Sequence, residues 1–101
     1  MKQFDIVANP FPRSRERQPF LASLQSDLLA RSLDTTVVVP LEPAESSTFA
    51  DRLNPREGKP YVLITQELVT VRKNGLGQTC GSIAAERDAI VAALDLLFTG
   101  F

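Results

Sequence analysis

The chain contains no histidine and no tryptophan, and it has a single cysteine, Cys80. Without histidine a Ser–His–Asp or Cys–His nucleophilic system is excluded. The same absence, with one cysteine, excludes a zinc site of the usual nitrogen and sulfur ligands and any disulfide within the chain. No apolar run approaches the roughly 20 residues of a membrane span. Residues 1–7 carry Lys2 and Asp5 where a signal peptide would be apolar. A cytoplasmic location without membrane contact is therefore expected. An excess of one charge sign is missing too: 11 basic residues face 12 acidic ones, for a net charge of -1. That balance argues against a general nucleic-acid binder. Proline is absent after Pro60, which points to a turn-rich first part and a more regular end.

What remains is an ordinary globular composition of 101 residues, 44% hydrophobic and 23% charged. One soluble domain spanning 1–101 is expected, because a chain of this size buries enough surface for a single core. Residues 4–7 read as a first strand with Phe4 and Ile6 on one face. Residues 9–19, with three prolines and alternating charges, read as a mobile surface loop. Residues 20–25 read as a strand with Phe20, Ala22 and Leu24 on one face and Leu21, Ser23 and Gln25 on the other. Residues 35–39 are all β-branched and predict a buried strand ended by Pro40. Residues 42–47 read as a connection. Residues 49–53 read as a strand closed by Asn54-Pro55, and 56–59 as a charged turn around Gly58. Residues 61–65 and 68–71 read as two strands paired across a turn at Gln66-Glu67. Asn74-Gly75 marks another turn, and Thr79-Cys80 a brief last strand.

The remainder predicts the one clear helix, about 83–100, with Ser82 as candidate N-cap. Ile90, Leu94, Leu97, Phe98 and Phe101 form an apolar stripe at helical spacing, with Val91 at its edge, suited to packing on a sheet. Asp88, Ala92, Asp95 and Thr99 line the opposite side, and Leu96 lies off the stripe. Five to seven short strands followed by one helix predict an α+β, mainly β fold. Its form is a small barrel or antiparallel sheet with one C-terminal helix closing the core.

Candidate chemistry is sparse. Cys80 has no base to activate it and reads as a small core residue. Asp88 and Asp95 sit two helical turns apart, roughly 10 Å, which is far for joint proton transfer. Gly75-Leu76-Gly77 does not open a helix and reads as a turn. No catalytic residue, cofactor or metal ligand set emerges, so an enzyme is not expected. Arg13, Arg15 and Arg17 form a modest basic cluster interrupted by Glu16, either a solvated loop or a docking surface for an acidic segment. The end, Leu96-Leu97-Phe98-Thr99-Gly100-Phe101, is unusually apolar. Either Phe101 folds onto the core or an apolar tip docks into another protein.

Several segments in order carry a resemblance: Gln3-Phe4, Leu24-Gln25-Ser26-Asp27-Leu28-Leu29, Val37-Val38-Val39-Pro40-Leu41, Glu86-Arg87, and Ala93 through Phe101. With this ordered set the chain resembles the CcdB family of addiction toxins, which poison DNA gyrase. The resemblance implies a non-enzymatic homodimer of SH3-like fold. Its helix tip binds the gyrase A subunit and traps the cleaved-DNA complex, and a CcdA-like antitoxin neutralises it. By position, it implies gyrase-facing roles for Thr99, Gly100 and Phe101, supported by Gln3, Phe4, Ser26, Leu28, Leu29 and Asp95. It assigns antitoxin binding to the region of Arg13 and Arg15. Thr99 stands where the best-known members carry tryptophan, Phe101 where isoleucine is usual, and Asp95 where asparagine is usual. Two alternatives stand beside this reading. One is a ribonuclease toxin of the related MazF and Kid fold, with Arg13 or Arg15 acting with Asp27. The other is a non-toxic relative that binds antitoxin.

Overall fold

A computed structural model describes residues 1–44, 52–56 and 59–100. Seven strands form one antiparallel sheet: β1 (Asp5–Ala8), β2 (Phe20–Ser23), β3 (Thr35–Pro43), β4 (Arg52–Arg56), β5 (Lys59–Leu63), β6 (Val69–Arg72) and β7 (Thr79–Ser82). A four-residue helix α1 (Asp27–Ala30) follows β2, and helix α2 (Arg87–Thr99) ends the described chain. The strand order is β4-β5-β3-β2-β1-β7, with β6 on β3. β4 and β7, at the two ends of that order, approach each other. The sheet thus curls toward a small barrel, with no hydrogen-bonded seam between them among the described residues. This is the α+β, mainly β fold expected from the sequence.

β3 organises the sheet. It is nine residues long, and one edge pairs with β2 from Phe20↔Leu41 to Ser23↔Val38. The other edge is shared: its first half pairs with β6 (Thr35↔Arg72 to Val38↔Val69) and its end with β5 (Leu41↔Leu63 to Pro43↔Tyr61). Two expectations are corrected here. Pro40 does not end the strand, because it falls between the two partners, where no ladder N–H is required. Its carbonyl still accepts from Ile64 N at 3.0 Å. Residues 68–71 do not pair with β5. A 3-10 turn at Thr65–Glu67 redirects the chain, and β6 takes the length of β3 that β5 leaves open.

Alternation places the core. Phe4, Ile6, Ala22, Val39, Leu41, Tyr61, Ile83 and Ile90 form the main cluster, with Phe20, Leu24, Cys80 and Leu94 packed against it. Phe20 and Tyr61 meet edge to face at 5.6 Å. Val7, Leu21 and Val38 form a second cluster on the other face, as the two-residue period requires. Inside β3, Thr36, Val38, Val39 and Leu41 are all buried, which accounts for the continuous β-branched run. Cys80 is half-buried beside the main cluster.

Other boundaries move. Asn54-Pro55 lies inside β4, at a register shift between Leu53 and Arg56, rather than closing a strand. Glu42 and Pro43 belong to β3 rather than to a connection. The expected elements at 45–51 and the turn residues 57–58 lie outside the described residues. α2 starts at Arg87, after a 3-10 turn at Ala84–Glu86. Ser82 Oγ accepts from Ala84 N at 3.1 Å, so it organises that turn rather than capping the helix.

The segment 9–19 is tied down, contrary to expectation. Asn9 and Gln18 are buried. Asn9 Nδ2 donates to the Gln18 carbonyl at 2.8 Å and to Ser14 Oγ at 3.0 Å, and Asn9 Oδ1 accepts from Phe11 N at 2.9 Å. A side chain satisfying three backbone and hydroxyl groups replaces the ladder that a loop lacks.

Candidate functional site

The expected core stripe of α2 holds only at its start. Ile90 is 2% exposed and Leu94 is half-buried against the main cluster. Beyond Leu94 the helix leaves the sheet. Val91, Leu96 and Leu97 are exposed, and Phe98 is 69% exposed. The apolar spacing is longer than the surface available to cover it, so Leu97 and Phe98 are surface residues, not core. Leu96, off the stripe, is a signal in the sequence that α2 carries a second apolar face.

The last turn is built locally. Thr99 Oγ1 donates to the Asp95 carbonyl at 2.7 Å. Gly100 adopts φ 78, ψ 14, and its N–H donates to the Leu96 carbonyl at 3.1 Å. This is an αL C-cap, the conformation in which glycine has no Cβ penalty. Asp95, Thr99 and Gly100 are all exposed. Phe101 lies outside the described residues.

A second group surrounds α1. Gln3 N donates to Asp27 Oδ1 at 2.8 Å, and Gln3 Nε2 donates to the Leu24 carbonyl at 2.9 Å. Ser26 is the N-cap of α1, its Oγ accepting from Leu28 N at 3.2 Å. Capping a helix of four residues presents Leu28, 86% exposed, and Leu29, 52% exposed, to solvent. The role of Asp27 in holding Gln3 has no signature in sequence, because the two lie 24 positions apart. Phe4 is placed differently from a contact residue. Its φ is 69, and its side chain is 5% exposed within the main cluster. The turn at Phe4 swings its ring inward while leaving Gln3 outside.

The structure therefore unites Gln3, Ser26, Leu28 and Leu29 in one surface and Asp95, Thr99 and Gly100 in another. No hydrogen bond or ion pair among the described residues joins the two. Arg13 and Arg15 are exposed in the 9–19 segment, which joins the end of β1 to the start of β2. Gln3 and Asp27 flank the opposite ends of those strands, about 13 Å away for four residues. An active site of Arg13 or Arg15 with Asp27 is thus split by the hairpin.

One polar cluster escaped the sequence reading. Gln18 Nε2 donates to Glu42 Oε2 at 2.9 Å and to Glu67 Oε1 at 3.2 Å. Arg17 lies 3.9 Å from Glu42 and 3.7 Å from Glu67. The buried amide bridges two carboxylates from distant segments and fixes the Arg13–Arg15 turn to the sheet. Among the described residues no group of His, Cys, Asp and Glu is arranged to hold a metal ion, and no helix is long and apolar enough to cross a membrane.

No curated protein matches the chain. A family profile does, that of the CcdB protein, and it matches residues 3–100. The match takes in both surfaces just described, from Gln3 to the αL glycine at position 100, together with every strand between them. With nearly the whole chain covered, this protein belongs to the CcdB family of toxin–antitoxin toxins.

Proposed function

We propose that this chain acts as a homodimeric cytoplasmic toxin that binds the DNA gyrase A subunit through the tip of α2. Bound there, it traps the cleaved-DNA complex without catalysing a reaction itself. The observation that carries this reading is the C-terminal half of α2. Leu96, Leu97 and Phe98 are exposed on a helix whose base is fixed in the core by Ile90. A rigidly held apolar projection is suited to insertion into a protein cavity. Thr99, Gly100 and Phe101 form the contacting tip, and Asp95 lies one turn back. Gln3, Ser26, Leu28 and Leu29 supply the second contact surface, with Phe4 positioning Gln3 from within the core. The exposed leucines also supply a face for the second copy. Arg13 and Arg15, held in place through Gln18, receive an acidic CcdA-like antitoxin segment.

The test is a gyrase supercoiling and DNA-cleavage assay with the purified chain beside a variant lacking Gly100 and Phe101. Cleaved complex is expected with the intact tip and not with the truncated one. Thr99→Trp is expected to increase trapping, because an aromatic ring at that position adds stacking area for an arginine. Unchanged gyrase activity with intact chain and with Thr99→Trp would remove the reading.

A further inference from the structure

The balanced overall charge conceals a local imbalance. Two adjoining cavities, of about 500 and 330 Å³, lie where the segment after α1 meets the end of β6, and they share Arg31 and Lys73. The larger also carries Arg72 and the smaller Lys2, against two carboxylates, Asp27 and Asp34. Four cations thus line one groove of a chain whose net charge is -1.

The groove is built, not incidental. Arg72 closes β6 opposite Thr35, and the next N–H, of Lys73, donates to the Asp34 carbonyl at 2.8 Å. Arg31 is the C-cap of α1. The Asp27 carboxylate is engaged by the Gln3 N–H. The side chains of Lys2, Arg31 and Arg72 have no ion pair among the described residues. Neighbouring like charges repel, and their clustering favours an anionic ligand.

We propose that this groove binds the sugar–phosphate backbone of duplex DNA without reading its sequence. Two guanidinium groups match phosphate oxygens in bidentate geometry. The larger cavity has no aromatic side chain and one apolar one, Leu33. It therefore lacks the stacking platform of single-strand binders. The proposal deepens the gyrase reading and rests on it only for which DNA is met. Lys2 adjoins Gln3 and Asp27 adjoins Leu28, so the groove flanks the surface assigned to an enzyme that holds DNA.

Binding of the full chain to two fluorescent duplexes of unrelated sequence, about 20 base pairs each, is measured by anisotropy in about 25 mM salt. Equal affinities are expected, with log affinity falling against log salt at a slope of about -2 to -4. Arg31→Gln and Arg72→Gln together are expected to weaken binding at least about tenfold, and either alone less. Arg87→Gln, which removes the same charge from α2, is expected to change it less than about twofold. Circular dichroism establishes that the variants fold. No binding up to about 100 μM chain would overturn the proposal at such low salt. So would equal weakening by Arg87→Gln, a strong sequence preference, or equally good competition by polyglutamate or anionic vesicles. Gyrase A subunit binding is measured separately without DNA. Its failure with DNA binding intact removes the gyrase reading alone, and the converse removes the groove alone.

Discussion

The backbone N–H of Gln3 is held 2.8 Å from Oδ1 of Asp27, so the segment entering β1 and the start of α1 form one unit. Asp27→Ala breaks that tie and is expected to cost about 1 kcal/mol, the size of an exposed charge-assisted bond. Asp27→Asn keeps an acceptor oxygen and should cost less. Urea unfolding of the two variants measures the difference; no loss for Asp27→Ala would mean the bond does not matter.

Gly100 sits at φ 78 with nothing within 4 Å of an added Cβ. Gly100→Ala therefore meets no neighbour and pays only for left-handed backbone, about 1 kcal/mol. The cost falls on the last turn alone. Amide exchange at position 100 should accelerate while the thermal midpoint barely moves. Gly100→Asn, which tolerates this region better, should restore protection in part.

Ile90 and Phe98 divide the labour of α2. Ile90→Ala opens a cavity in the main cluster and should destabilise by about 2–4 kcal/mol. Phe98→Ser removes an exposed ring and should alter the stability of the dilute chain by less than about 0.5 kcal/mol. Denaturation of both at low concentration tests this. A large loss for Phe98→Ser there would place the ring in the core of the single chain.

Gln18 Nε2 donates to both Glu42 and Glu67. Gln18→Glu puts a third carboxylate between them. Its like-charged neighbours favour the protonated form in the folded state, so the folded chain binds more protons there than the unfolded one. Stability should then fall as pH rises above about 4, the ordinary carboxylate value. Thermal midpoints of the variant relative to the parent, taken from about pH 4 to 8, show the slope. A flat difference would mean the cluster is fully solvated.

Much of this architecture is legible in the residues themselves. Phe20, Ala22 and Leu24 fall on one face and Leu21 on the other, because side-chain direction in a strand is set by position alone. Strand partners are not local in this way. Nothing within residues 68–71 says that their mate is Thr35–Val38 and not the nearer β5, because the choice depends on how much of β3 is already covered. Pro40 misleads for the same reason: its missing donor matters only if a partner faces it. The Phe98 reading fails because periodicity reports which residues share a face and not how far the opposing surface extends. At the tip the local cue is the glycine itself, since Gly100 after a run of helical residues takes the αL conformation of a C-cap.

β1 pairs with β2 on one side and with β7 on the other, and Asp5 and Thr79 meet across 74 positions. During synthesis the β1 edge facing β7 has no strand to accept it until more than 70 further residues have been made. Ile83 and Ile90, which close the core, arrive later still. At about 5–20 residues per second, that leaves the edge open for several seconds. Over that interval the nascent chain offers a free strand edge to any neighbour. The hydrophobic projection of α2 emerges in the same late step that completes the sheet. The order of translation thus keeps this apolar face out of solution until the scaffold that orients it is made.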